Sequence, residues 1–246
     1  MSLTSHIKNR TILYWQIVSM LNLEYCCALI DHHSKICGPV IHKPVKGTNF
    51  PLAGMSVIYA VRDFLGGQDV WNDTFAGQYY NYPVQSPEPI KWVVMALMDS
   101  QCRRNDYSGD PGAIKCLHPD FSPTAEDVGG IVSSFKHVLS DHKGKPLTAN
   151  PCLASGGEVG GADANLIVEY TLWDIRTTAK ANPLSLDSIV QQVGYYLLDF
   201  ENKYQLDKIC WYYTRQQSVF EHPIAPLLGE SKGVTKLRFQ QMLQEA

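Results

Sequence analysis

No stretch of this 246-residue chain is long and apolar enough to read as a membrane span. The best candidate, Thr11–Leu23, is short and carries Gln16, Ser19 and Asn22. The residues before it contain no small-residue cleavage site for export. Cysteine is present without a framework: seven residues, an odd number, at positions 26, 27, 37, 102, 116, 152 and 210. Reduced thiols in a cytoplasmic protein are therefore the expectation. An excess of positive charge is also lacking. Net charge is -3 and the pI is about 6.2, so contact with a phosphate backbone would need a local basic patch. Low-complexity tracts, internal repeats and a Pro/Gly linker that divides the chain are absent, so 1–246 reads as one domain.

What is present is 45% hydrophobic and patterned mainly for helices before residue 140. The spacing predicts helices over Thr11–Leu23, Ser56–Leu65 (stopped by Gly66-Gly67), Lys91–Asn105 and Pro123–Leu139. Residues 24–50 read as irregular or strand-containing, Tyr107–Pro119 as a surface loop and 140–157 as a connector. Gly160–Thr178 alternates in the manner of strands, Ser185–Tyr204 reads as a helix and Lys208–Thr214 as a strand. From Gly229 onward a polar, weakly basic helix is expected. The expectation is thus an α/β domain with a small mixed central sheet flanked by helices and a helical N-terminal portion. A mainly helical and irregular part covers 1–140, the core hairpin, helix and strand cover 158–228, and a tail covers 229–246.

The chemistry concentrates in 161–178. A two-residue turn at Glu169-Tyr170 sets Val168 opposite Thr171, Asn165 opposite Asp174 and Asp163 opposite Arg176. One face then shows Asp163, Asn165, Asp174 and Arg176, and the other Ala164, Leu166, Val168, Trp173 and Ile175. The alternative is a three-residue loop, which would place Asp174 opposite Leu166 on the wrong face. Two carboxylates, an amide and a guanidinium on one face either pair internally or hold an ion. An Asp163–Arg176 ion pair on a solvated sheet face is the plain structural alternative.

These residues resemble the core of PD-(D/E)XK nucleases. The nearest likeness is to bacterial proteins reading roughly Gly-Gly-Ala-Asp-Ala-Asp-Leu-Ile, a turn, then Leu-Ile-Asp-Ile-Lys-Thr-Thr. Gly160 to Ala164, Leu166-Ile167, Leu172, Asp174-Ile175 and Thr177-Thr178 match. The lead-in Asn150-Pro151, Leu153-Ala154-Ser155 and Val159 is similar. So is the following helix, with Gln191-x-x-x-Tyr195, and more weakly Gly54–Leu65, which keeps Gly54, Tyr59 and Arg62. The resemblance implies a restriction-endonuclease-like fold and Mg²⁺-dependent hydrolysis of DNA. Asp163 and Asp174 would hold the metal with Asn165, Arg176 would counter charge, and Gln191 and Tyr195 would position groups.

The chain departs from that pattern at three places. Arg176 stands at the lysine and cannot deprotonate water. Asn165 stands at an aspartate and ligates Mg²⁺ more weakly, and Ile58 replaces an upstream acid. Two outcomes follow: a weakened, reorganised magnesium nuclease, or a nuclease fold that has lost hydrolysis and binds nucleic acid or a partner protein.

Lesser candidates are Glu126 and Glu158 as extra acids and Lys180 as a displaced amine. Cys26, Cys27, His32, His33, Cys37 and His42 are dense, but their spacing fits no standard zinc finger. Lys43, Lys46, Lys136, Lys143 and Lys145 with Arg103-Arg104 could form a basic track. Tyr79-Tyr80-x-Tyr82 and Trp211-Tyr212-Tyr213 could stack on bases, though the latter reads better as a core strand.

Overall fold

A computed structural model describes residues 2–66, 88–104, 121–153, 159, 162 and 164–245. Asp163, Glu158, Asn105, and the segments Tyr79–Tyr82 and Tyr107–Pro119 lie outside the described residues.

The centre is a five-stranded mixed sheet in the order β1 (Leu147–Ala149), β2 (Leu166–Val168), β3 (Thr171–Arg176), β4 (Lys208–Tyr213) and β5 (Ser218–Pro223). Only β3 and β4 run parallel; the other pairs are antiparallel. Parallel neighbours need a crossover, and α8 (Leu186–Leu198) supplies it.

Helices cover both faces. On one lie α1 (Leu3–Asn9), α2 (Ile12–Val18), α3 (Leu23–Ile36), α8 and α9 (Lys232–Gln244), around Ile167, Leu172, Ile209, Trp211 and Tyr213. On the other lie α4 (Phe50–Gly66), α5 (Ile90–Arg104), α6 (Phe121–Val132) and α7 (Phe135–Leu139), around Leu166, Val168, Trp173, Ile175, Cys210 and Tyr212. Successive strand residues alternate between two apolar layers, so β2, β3 and β4 read as nearly continuous apolar runs. Trp211, Tyr212 and Tyr213 are wholly buried, a core strand rather than a base-stacking surface.

Several boundaries differ from the sequence expectation. The segment 24–50 is not irregular throughout, because α3 occupies Leu23–Ile36. Its buried positions Cys26, Leu29 and His33 follow a helical stripe, with a histidine in a core slot. The first predicted helix is only α2, preceded by α1, whose Ser2 caps the Ser5 amide. The helix expected over Pro123–Leu139 breaks at Ser133-Ser134 into α6 and α7. The connector 140–157 holds the edge strand β1, and the second edge strand β5 was not expected at all. Both edges are short or polar, which hides them from an apolar-periodicity test.

Away from these edges, one buried ion pair ties the second layer to the sheet. Arg215, just past β4, donates to both carboxylate oxygens of Asp127 on α6, at 2.9 and 2.5 Å. Neither side chain is more than 2% exposed.

Candidate functional site

The turn at Glu169-Tyr170 has two residues, and Val168 pairs with Thr171, Ile167 with Leu172 and Leu166 with Trp173. Glu169 has φ of 55°, a left-handed value that an unfavourable turn residue adopts here. Its amide is held by the Pro146 carbonyl at 2.8 Å, and its carboxylate by Lys145 at 3.1 Å. The register that brings Asn165 toward Asp174 is therefore present, although the ladder itself starts at Leu166.

Before Leu166 the strand alternation fails. Asn165 lies in a bend, and Ala164 joins the α8-side core rather than the layer of Leu166 and Trp173. The bend is gripped from α4: Arg62, 3% exposed, donates to the Asn165 carbonyl from Nε at 3.1 Å and from Nη2 at 2.5 Å. Arg62 Nη2 also donates to Asn150 Oδ1 at 2.7 Å. With the main chain so fixed, Asn165 Oδ1 accepts the Ile175 amide at 2.9 Å. The side chain thereby stands in for a strand residue and extends the β2–β3 ladder by one bond.

The face carrying Asp174 is not solvated, contrary to the plain alternative of an exposed sheet face. Helix α8 packs over it, and Asp174 is 6% exposed. Burying a carboxylate requires partners. Oδ2 accepts Arg176 Nε at 2.7 Å and Ser188 Oγ at 3.3 Å. Ser188 Oγ in turn accepts the Trp211 indole N–H at 3.0 Å, so strand β4 orients the hydroxyl that orients the acid. Ser188 carries no family signal in the sequence; it reaches Asp174 only because α8 crosses back over β3.

Arg176 continues the network. Its Nη2 donates to Gln191 Oε1 at 2.8 Å, and Gln191 Nε2 donates to Thr4 Oγ1 at 3.1 Å and reaches the Tyr195 hydroxyl at 3.5 Å. Gln191 and Tyr195 thus share a helix face, as their spacing implies. The Asp174 carboxylate beside it raises the Arg176 pKa above its ordinary value, outweighing burial, so the guanidinium stays charged. Nη1 makes no hydrogen bond among the described residues, and the side chain keeps about a third of its surface exposed (34%). The neighbouring Tyr213 phenol is pushed up by burial and by Asp174, so it remains neutral and unreactive.

The donor set can be tested against Mg²⁺, which takes hard oxygen ligands at about 2.1 Å. Asn165 Oδ1 is turned to the Ile175 amide and Asp174 Oδ2 to a guanidinium. One carboxylate oxygen beside a fixed cation is left among the described ligands, which does not fit a magnesium site. Asp163, the remaining acid, lies outside the described residues.

The lesser candidates among the described residues do not converge on this site. Glu126 is exposed on α6 across the sheet, and Lys180 is exposed past the end of β3, where its carbonyl accepts the Gln216 side-chain amide at 2.8 Å. Ile58 packs against the α4-side core. Within the Cys/His-rich segment, Cys26 and His33 point into the core while Cys27 and His32 face out, so adjacent residues of α3 diverge. No group of three His, Cys, Asp or Glu side chains able to hold a metal ion occurs among the described residues. Of the basic track, Lys143 lies over the Phe64 ring at 5.1 Å and Lys145 is paired with Glu169. The side chains of Arg103, Arg104 and Lys136 lie outside the description. Among the described residues no helix is long and apolar enough to cross a membrane.

No protein-family model, no curated protein and no solved structure matches the chain. The site is therefore described by its own geometry: an arginine anchored on two edges, whose Nη1 makes no hydrogen bond among the described residues.

Proposed function

We propose that this chain is a nuclease-like protein of the PD-(D/E)XK, restriction-endonuclease-like kind whose centre binds DNA phosphates through Arg176 without hydrolysing them. The observation that carries this is the state of the guanidinium. Asp174 holds Nε at 2.7 Å and Gln191 holds Nη2 at 2.8 Å, while Nη1 makes no hydrogen bond among the described residues. A guanidinium held in this way loses little freedom on binding and offers paired donors to a phosphate. The mixed sheet, the hairpin register and the placement of Gln191 and Tyr195 beside Asp174 and Arg176 support the same reading.

Loss of hydrolysis follows from the same bonds. In the related chemistry a metal would sit at Asp174 and lower the pKa of a water. Here a permanent cation neutralises Asp174 from within, and arginine cannot serve as the base. The charge that a metal would supply is already present as protein.

Incubation with supercoiled plasmid and with single-stranded DNA in Mg²⁺ or Mn²⁺ is expected to yield no nicking by the natural protein. Binding to a labelled DNA duplex is expected to persist in EDTA and to weaken in Arg176→Gln. Metal-dependent cleavage that disappears in Asp174→Ala would overturn the proposal in favour of a reorganised nuclease. Gain of cleavage in Asn165→Asp/Arg176→Lys would support the conversion of a catalytic centre into a binding one.

A further inference from the structure

The polar row at the site does not end with the helix that the sequence singles out. Its last member, Thr4, comes from α1 and lies 187 residues from its partner Gln191. We infer that Thr4 is a positioning residue that sets the Gln191 amide, and through it the Arg176 guanidinium; its consequence for DNA binding rests on the reading proposed above.

An amide side chain has a donor end and an acceptor end, and only one orientation suits a guanidinium. Gln191 turns Oε1 to Arg176 Nη2 at 2.8 Å. The opposite orientation would set N–H against N–H. In the orientation that the guanidinium selects, Thr4 Oγ1 accepts Nε2 at 3.1 Å and so anchors the far end of the amide, and Tyr195 lies 3.3 Å from the same hydroxyl. Without it, Nε2 would keep among the described residues only the marginal 3.5 Å contact to Tyr195.

Helix α1 is placed so that this hydroxyl can reach. Leu3 is fully buried and Ile7 nearly so, and they seat α1 against α8. At the point of contact α8 carries Gly194. A Cβ there would lie 3.0 Å from Ile17 Cδ1 and 3.2 Å from Leu3 Cδ2, so glycine permits the close approach. Glycine inside a helix is less favourable than alanine, and here the close packing of Leu3 and Ile17 takes the place of a methyl group. Farther along, Asp187 in the first turn of α8 accepts the Tyr14 hydroxyl at 2.8 Å and pairs with Arg10 at 3.4 Å. Helices α1 and α2 are thus attached to α8 along its length, while Thr4 itself remains exposed. Its hydroxyl adds nothing to the core, so a stabilising role alone does not account for where it points.

The test compares Thr4→Val, which keeps shape and loses the hydroxyl, with Thr4→Ser, which restores it. Two readouts separate this inference from the reading it rests on. The first needs no DNA: proton exchange at the Arg176 Nε–H and the Gln191 side-chain amide, followed by nuclear magnetic resonance. Thr4→Val is expected to speed both and Thr4→Ser to return them toward the natural protein, with no change in the thermal midpoint. Unchanged exchange in Thr4→Val overturns the inference whatever DNA does. The second is the affinity for a short fluorescein-labelled duplex. One lost hydrogen bond, about 0.5–1.5 kcal/mol, corresponds to roughly a 2- to 13-fold weaker affinity in Thr4→Val. If Arg176→Gln loses affinity while Thr4→Val does not, the positioning role fails and the binding site stands. If Arg176→Gln binds like the natural protein, the phosphate-binding reading fails, and the exchange rates alone decide whether Thr4 positions Arg176.

Discussion

Two aspartate–arginine pairs in this molecule use the same chemistry for different ends. Asp127 and Arg215 are 88 residues apart, joined by two bonds, and sealed between α6 and the end of β4. Asp174 and Arg176 are neighbours on one face of β3, joined through a single Nε–H, with the arginine open to solvent on one side. In the first pair both oxygens are taken, and a further guanidinium N–H goes to the His42 carbonyl at 3.1 Å. In the second, Nη1 is left over. A buried pair with both carboxylate oxygens bonded fixes where two layers meet; a one-edged pair whose arginine is partly exposed keeps a charge oriented and available.

Breaking the buried pair gives the largest expected effect. Asp127→Ala leaves the buried Arg215 charge without its carboxylate, with only the His42 carbonyl still accepting from it, and a loss of about 3–5 kcal/mol in urea denaturation is expected. Replacing both residues by apolar ones of similar volume should recover most of it, since the penalty belongs to the orphaned charge. Arg176→Gln comes next, and acts on binding rather than folding. A charge-assisted contact of about 1.5–3 kcal/mol predicts a loss of DNA affinity of roughly 10- to 100-fold. The salt slope should fall by about 1, as for one phosphate contact. A DNA titration at several salt concentrations reads both. Asp174→Ala should cost about 1–2 kcal/mol of stability, less than Asp127→Ala, because the freed Arg176 can turn to water. If the two aspartate variants are equally destabilised, the distinction between the pairs is wrong.

The smallest effect concerns acid. His33 is buried against the Tyr213 and Phe220 rings, neither ring nitrogen has a partner among the described residues, and His32 adds like charge. Burial first, then His32, lowers its pKa; His222 on β5 is lowered for the same two reasons. A folded pKa below the unfolded one means the unfolded chain binds more protons, so stability falls as pH drops below about 6.5. His33→Phe should flatten that acid limb in denaturation curves taken at a series of pH values. An unaltered limb would assign the acid sensitivity elsewhere.

The layout of the sheet's middle was legible because it obeys local rules. Alternation in β3 and the aromatic run of β4 mark buried strands, and of the two turn lengths left open by the sequence the structure has the two-residue one. Helix α3 was not legible because its core stripe runs through Cys26 and His33 in a segment where Cys, His, Pro and Gly interleave. Strands β1 and β5 escaped because edge strands this short or polar have no periodicity to read. The site was legible in only part of its membership and not in its wiring. Asp174, Arg176, Gln191 and Tyr195 do come together, yet nothing local reveals that Asn165 spends its amide oxygen on Ile175, or that Ser188 and Thr4 complete the network.

The hairpin, then, was determined by the sequence itself, since period-two alternation and turn length decide which side chains share a face. Which partner the acid on that face takes was decided only in three dimensions. A buried carboxylate takes its nearest satisfied partner, and here α8 closes over Asp174 while Arg176 lies on the same face two residues away. The resulting bond neutralises the acid from within the fold. The helices that set Gln191, Ser188 and Thr4 around it are brought there by core packing, which no local pattern encodes.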